Sequence, residues 1–441
     1  MTLDAADART YLNGLLDGHA RAPAVATPSS PKLAWLKALR AEAVERVGVL
    51  TVPSLRDEAW RFTDLSPMTQ RSFRPLETPS RLTTGDVERF YIGEAATRLV
   101  FVDGVHAPHL SSTDATSVVA GDLAAMITSH RAAIEAHLAR HAGFRDNLFV
   151  ALNTAFLHDA AAIVVPRQMN VAAPVHLLFI ATQPDVASHP RVLVVAEPDS
   201  SVVLIEEYAA LQAGAYFTNA VVEVAVDAGA CVEHVRVQRE SDEAFHIGHC
   251  TVSLAQAGRY HSVNVALGAR LSRLGLDVLQ TADATHCSLD GLALIGGRQL
   301  ADTHTRIDHA KPHGTSRQLH KCIVDGAAHA VFNGKVMVRP GAQRTDSSQS
   351  SRNLLLTPKA LVDTQPQLEI YADDVKCTHG ATVGQLDAEQ VFYLQSRGLA
   401  EAAARNLLTY AFGAEVIDRI PVASLRQSLE RTVIERTAGQ P

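Results

Sequence analysis

"VVAEPDSSVVLIEE", residues 194–207, places two short β-branched runs on either side of a tight turn made of Glu197, Pro198, Asp199 and Ser200. The same texture returns in "VEVAVDAGACVEHVRV" (222–237), "TVSLAQAGRYHSV" (251–263), "VLQTADATHCSL" (278–289) and "KCIVDGAAHAVF" (321–332). Turns at Asp199, Asp227, Ala257 and Asp283 recur every 26 to 30 residues, a period typical of stacked supersecondary repeats. No helical pattern of ten or more residues separates the runs, which argues against βαβ units. Short strands and small turns in series suit a parallel β-helix, in which each coil stacks on the one before. A β-sandwich is the alternative these residues leave open.

Outside this stretch the pattern is helical. In "PKLAWLKALRAEAVERV" (31–47), Leu33, Leu36, Leu39, Ala43, Val44 and Val47 fall near one face, with Lys32, Lys37 and Glu42 elsewhere. "TRLVFVDGVHAP" (97–108) reads as a strand-like insert in that region. Beyond the β-rich part, Asp387 caps "AEQVFYLQSR" and Gly398 stops it. Ala403, Leu407, Tyr410 and Ala411 then share a helical spacing, as do Leu425, Leu429 and Val433. The expected organisation is mainly β with α: an N-terminal, mainly helical domain (1–150), a parallel β-helix core (151–385) and a C-terminal helical domain (386–441). The tail either closes the open end of the solenoid or presents a docking surface.

Composition removes several functions. The 441 residues are 47% hydrophobic and carry 40 basic against 47 acidic residues, a net charge of -7 with no dense basic block, so nucleic acid is not an expected partner. Asp4, Asp7 and Arg9 break any signal-like start. The most apolar segment is interrupted by Pro166, Arg167, Asn170 and Pro174, short of the roughly 20 apolar residues of a membrane span. Five scattered cysteines without a C-x-x-C pair fit reduced thiols in the cytoplasm. Gly334 and Lys335 lack the rest of a phosphate loop, and neither a nucleophile elbow nor an H-E-x-x-H pair occurs.

Two features remain. Histidines 286, 304, 309, 313, 320 and 329 cluster with Cys287 and Cys322, but their spacings match no usual ligand pattern. A metal-dependent enzyme built on His304 and His309 is one alternative, and a purely structural solenoid is another. "DDVKCTHGATVG" (373–384) is more informative. In a strand, Cys377 and His379 share a face about 6.6 Å apart, with Lys376 and Thr378 on the other. Thiolate and imidazole suit iron, zinc and iron-sulfur clusters, yet two donors do not complete a site. Ordinary packing of Cys377 and a turn hydrogen bond from His379 is the bland reading. Ser347, Ser348, Gln349 and Asn353 are candidates for a polar ladder between coils. Asp373 and Asp374 read as either cluster-adjacent acids or a solvated turn.

The runs "SRQLHKCIVDGAAHAVFNGKVMV" (316–338) and "NLLLTPKALVDTQPQLEIYADDVKCTHGATVGQLDAEQVFYLQSRGL" (353–399) resemble the SufB/SufD family of SUF iron-sulfur cluster assembly proteins. Weaker similarity runs through 147–166, 98–111 and "DEAWRFTDL" (57–65). "KCTHGATVG", without flanking glutamates, resembles the SufD branch. The resemblance implies a right-handed parallel β-helix with flanking helical domains and a scaffold without turnover of its own. It also implies pairing with SufB through the β-helix and docking of the ATPase SufC on the C-terminal helices, near Tyr393, Arg397 and Gly398. SufC would supply nucleotide turnover, and this chain would bind no nucleotide. His379, with Cys377 nearby, would be this chain's share of a transient cluster at the SufB interface. The isolated chain as a homodimer is left open. Inside the histidine-rich stretch the similarity weakens, so no role is implied for His304, His309 or His313.

Overall fold

The computed structural model describes residues 5–21, 33–114 and 116–438; Asp4 and Lys32 lie outside them. Two sheets run side by side along the molecule, and the chain alternates between them. The first sheet ends with Phe245–Leu254, Leu271–Gln280, Leu300–His309, His329–Val338 and Leu361–Ile370. The second ends with Arg259–Ala266, His286–Ile295, Thr315–Val324, Asp346–Leu355 and Lys376–Gly384. Neighbouring strands within each of these series pair in parallel and in continuous register. The architecture is therefore a β-solenoid, and the sandwich alternative fails on the parallel pairing.

The turns explain the repeat. Asp199, Gly229, Ala257, Ala284, His313 and Arg344 all have φ between 55° and 70°. In this left-handed conformation each backbone N–H reaches a carbonyl of the next coil's turn: Asp199 to Ala228, Gly229 to Gln256, Ala257 to Asp283 and His313 to Gln343, at 2.9 to 3.0 Å. Five of the six positions carry a side chain, so the stacked hydrogen bonds offset a conformation that L-residues disfavour.

Alternation along each strand divides inside from outside. Val222, Val224 and Val226 of one sheet meet Val202, Leu204 and Val232 of the other in a single interior cluster. On the outer face of the first sheet, Phe217, Phe245, Ile247 and Leu271 pack against Ala43, Val47, Phe73 and Phe149 from the N-terminal part. On the outer face of the second sheet, Val263, Leu292 and Ile323 pack against Val416, Ile417, Leu425, Leu429 and Val433. Each such aliphatic side chain contributes about 1.5–3 kcal/mol when fully buried.

Three expectations need correction, and one open choice is decided. Thr97–Val102 is no insert: it pairs in parallel with Val175–Ala181 and so belongs to the second sheet. Val44 is exposed although Leu36, Ala43 and Val47 of the helix Ala34–Val49 are buried. In the helix Glu401–Ile417, Leu407 is exposed and the buried face runs through Ala404, Thr409, Gly413, Val416 and Ile417. That face won because it continues into the apolar pair at the helix end, which meets the sheet. The C-terminal helices also do not close the solenoid. They lie along its flank, and the residues of Lys376–Gly384 are exposed apart from half-buried Cys377.

Candidate functional site at the open end of the solenoid

The last coil consists of Leu361–Ile370 and Lys376–Gly384, each with a hydrogen-bonded strand on one side only. Register fixes which way its side chains face. Cys377 pairs with Ser347 and His379 with Gln349, and both partners are buried in the interior. Cys377 and His379 therefore continue the interior columns, but at the coil where the interior opens to solvent. Lys376 and Thr378 are exposed on the outer side. Cys377 is half-buried and packs against the interior cluster, whereas His379 is exposed.

Burial pushes the Cys377 thiol above its ordinary pKa, with an opposing contribution from a hydrogen bond to the Ser347 backbone. Metal binding by this thiol must therefore release a proton. An open groove of about 980 Å³ reaches this edge, its lining including His304, Lys335, Pro366, Leu368, Glu369 and His379. Lys335 is paired with Glu369 at 2.7 Å. Among the described residues, no group of three or more histidine, cysteine, aspartate or glutamate side chains could hold a metal ion.

The polar ladder between coils exists, with one misassignment. Ser316 donates to Ser347 at 2.8 Å, Gln349 to Gln318 at 2.7 Å, and Asn353 to the Thr382 backbone carbonyl of the next coil at 3.0 Å. Thr364 on the opposite sheet donates to Ser351 at 3.0 Å, so the ladder crosses the interior. Ser348 pairs with Arg317 and Thr378 in register and belongs to the outer face instead. Asp373 and Asp374 are exposed turn residues, Asp374 accepting the stacked-turn hydrogen bond from the Arg344 backbone.

The histidine-rich stretch scatters. His304 faces outward beside Asp302 at 3.0 Å, while His309, five residues on, is buried against Ser316 at 2.9 Å. An odd separation along one strand sends the two rings to opposite faces, so they cannot share a metal. His320 is buried and stacked on Phe332 with ring centroids 4.4 Å apart. His313 sits in a turn, 2.9 Å from Asp283, and His329 is 2.7 Å from Asp363. His286 lies beside His261, centroids 5.2 Å apart.

At the other candidate surface, Asp387 caps the helix Ala388–Ser396 by accepting from Glu389 N at 2.8 Å. Gly398 has φ of 94° and donates to Gln395 O at 2.9 Å, so it terminates that helix. Phe392 and Tyr393 are 71% and 57% exposed. The Arg397 guanidinium lies 5.2 Å from the Tyr393 ring centroid and donates to its hydroxyl at 3.3 Å.

Sequence reasoning missed an interior polar cluster nearer the middle of the solenoid. His234 bonds Glu206 at 2.8 Å and the Tyr260 hydroxyl at 2.9 Å, and His246 bonds Glu240 at 2.6 Å. All five residues are buried. The only available signal was a charged or aromatic residue at an inward position of an alternating strand.

Comparison with known proteins bears on this architecture directly. Residues 179–412 match the family described as "SUF system FeS cluster assembly, SufBD core domain", and residues 24–177 match "SufBD protein N-terminal region". The chain is 40% identical over 413 residues to an iron-sulfur cluster assembly SufBD family protein of Synechocystis, covering 90% of each. It is 31% identical over 393 residues to the iron-sulfur cluster assembly protein SufD of Escherichia coli, covering 88% of this chain and 90% of that one. Over 418 residues it is 28% identical to SufD of Bacillus subtilis, covering 91% and 94%.

Proposed function

The chain belongs to the SufBD family of the SUF iron-sulfur cluster assembly system, and on that premise we propose that it is a SufD-type scaffold subunit. It pairs with SufB through the open last coil and with the ATPase SufC through the C-terminal helices. The observation that carries this reading is the position of Cys377 and His379: two donors on the inward face of a terminal coil whose far edge pairs with no strand. A second β-solenoid laid against that coil would supply the remaining ligands. An incomplete donor set on each chain suits a cluster that must be built and then released, since neither subunit holds it alone.

The chain performs no turnover itself in this reading. Its sequence contains no phosphate loop, and SufC supplies ATP hydrolysis. The exposed Phe392 and Tyr393, with Arg397 beside the tyrosine ring, give the tail an aromatic and cationic surface of the kind enriched at protein interfaces. The division at 150 and 385 then has functional meaning: the core carries the cluster edge and the last segment carries the ATPase contact.

The test is co-expression with SufB and SufC, anaerobic purification, and iron and sulfide analysis of wild type beside His379→Ala. The reading expects His379→Ala to keep the complex and lose most of the cluster. Full cluster content in an intact mutant complex would end the assignment of His379. Cys377→Ser is expected to have the smaller effect, because its thiol is half-buried and must lose a proton to bind.

A further inference from the structure

The interior ladder ends one step short of His379. Gln318, Gln349 and His379 occupy one register column on three successive strands of the second sheet. Gln318 Nε2 donates to Thr305 Oγ1 across the interior at 2.7 Å, and Gln349 Nε2 donates to Gln318 Oε1 at 2.7 Å. Gln318 thus donates across its own coil and Gln349 to the coil before, and neither amide nitrogen is directed at the open end, so each amide oxygen is left for a donor on the following coil. For Gln318 that donor is Gln349. For Gln349, the following residue in the column is His379.

Both groups have an open valence there. Gln349 is 3% exposed, and its Oε1 is buried with no hydrogen-bond partner among the described residues. A buried acceptor in that state carries a desolvation cost that a donor on the next coil removes. The His379 ring has no hydrogen-bond or ion-pair partner among the described residues. The backbone is cut away to admit the amide: a Cβ on Gly334 would lie 2.2 Å from Gln349 Nε2 and 2.9 Å from its Cδ. Strands about 4.8 Å apart bring consecutive column residues within side-chain reach.

We infer that Gln349 is a positioning residue: its amide oxygen accepts the N–H of the His379 ring and completes a ladder that starts at Thr305. A neutral imidazole has one N–H and one lone pair. Anchoring the N–H selects one tautomer and leaves the other nitrogen facing the open groove, ready for a ligand arriving from outside. This rests on the cluster role proposed for His379, but its first consequence, the tautomer, does not need a metal.

The experiment is nitrogen NMR of the full chain labelled with 15N-histidine, with His379→Ala used to assign the ring. Wild type is expected to show His379 as a single neutral tautomer. Gln349→Met, which removes the acceptor oxygen, should convert it to the mixture of an unconstrained imidazole. A wild-type ring already in the unconstrained mixture overturns the inference, and that spectrum stands even if a variant folds poorly. So does a single tautomer that Gln349→Met leaves unchanged in a chain of wild-type unfolding midpoint. In the SufB and SufC complex, Gln349→Met should weaken iron retention roughly 10- to 100-fold, the usual effect of losing a ligand-orienting group. Full iron retention in His379→Ala alongside a Gln349-dependent tautomer would instead refute the cluster role and leave the ladder standing.

Discussion

At Cys377 and His379 the sequence supplied the side chains' shared face but not what that face looks into. Period-two alternation placed the pair together and Lys376 and Thr378 opposite, since a strand allows nothing else. That the shared face is the solenoid's own interior at its open end follows only from register with buried Ser347 and Gln349. Burial also sorts the thiols. Cys287 and Cys322 are fully enclosed with pKa values pushed up to about 12, while Cys231 and Cys377 are half-buried. Because the thiolate is the nucleophile, native alkylation followed by mass spectrometry should label Cys231 and Cys377, and should leave Cys250, Cys287 and Cys322 unmodified until the chain is denatured. Labelling of Cys287 in the folded chain at a rate matching Cys377 would contradict the enclosed interior.

Among the elements, strands were more legible than helix faces. Repeated turns and β-branched runs announced the solenoid, because stacking demands the same short unit again and again. The two misread helix positions, Val44 and Leu407, failed because a helix with apolar residues on more than one side has its buried face chosen by its partner. His320 belongs to the histidine-rich cluster of the sequence, yet it is an interior ring stacked on Phe332, and burial lowers its pKa to about 4. An unfolded histidine titrates near 6.5. Between those values the unfolded chain binds a proton that the folded chain excludes, so stability falls as pH drops, by roughly 1.4 kcal/mol per pH unit for each such ring. His309 is lowered to about 4 by the same cause. Chemical unfolding at about pH 7 and about pH 5 should therefore show a smaller acid loss in His320→Phe than in wild type. Equal losses in the two proteins would place the His320 ring in water.

Across the whole molecule, a buried ion pair ties the N-terminal part to the solenoid. Arg191 and Glu223 lie 2.5 Å apart with both side chains inaccessible. Glu223 also accepts from the backbone N–H groups of Ala139, His141 and Ala142 at 2.8 to 3.0 Å. Burial alone would raise its pKa, but Arg191 and these N–H groups outweigh that and hold the carboxylate below its ordinary value. Removing one partner leaves an uncompensated buried charge, so Glu223→Ala should cost about 3–5 kcal/mol. Denaturant unfolding checks this, and a loss under about 1 kcal/mol, the range of a surface pair, would mean that water reaches the pair. None of this was legible from the sequence, where Arg191 and Glu223 are ordinary charges on neighbouring strands.

At the same scale, the proposed function predicts that a second chain finishes the site begun by the two donors on the last coil. The most direct measurement labels only this chain with 15N-histidine, assembles it with unlabelled SufB and SufC, and records pulsed electron paramagnetic resonance of the reduced cluster. A histidine nitrogen of this chain bound to iron gives a 15N hyperfine coupling, which should disappear in His379→Ala while the complex persists. A cluster lacking that coupling in the wild-type assembly, or keeping it in His379→Ala, would contradict the shared site.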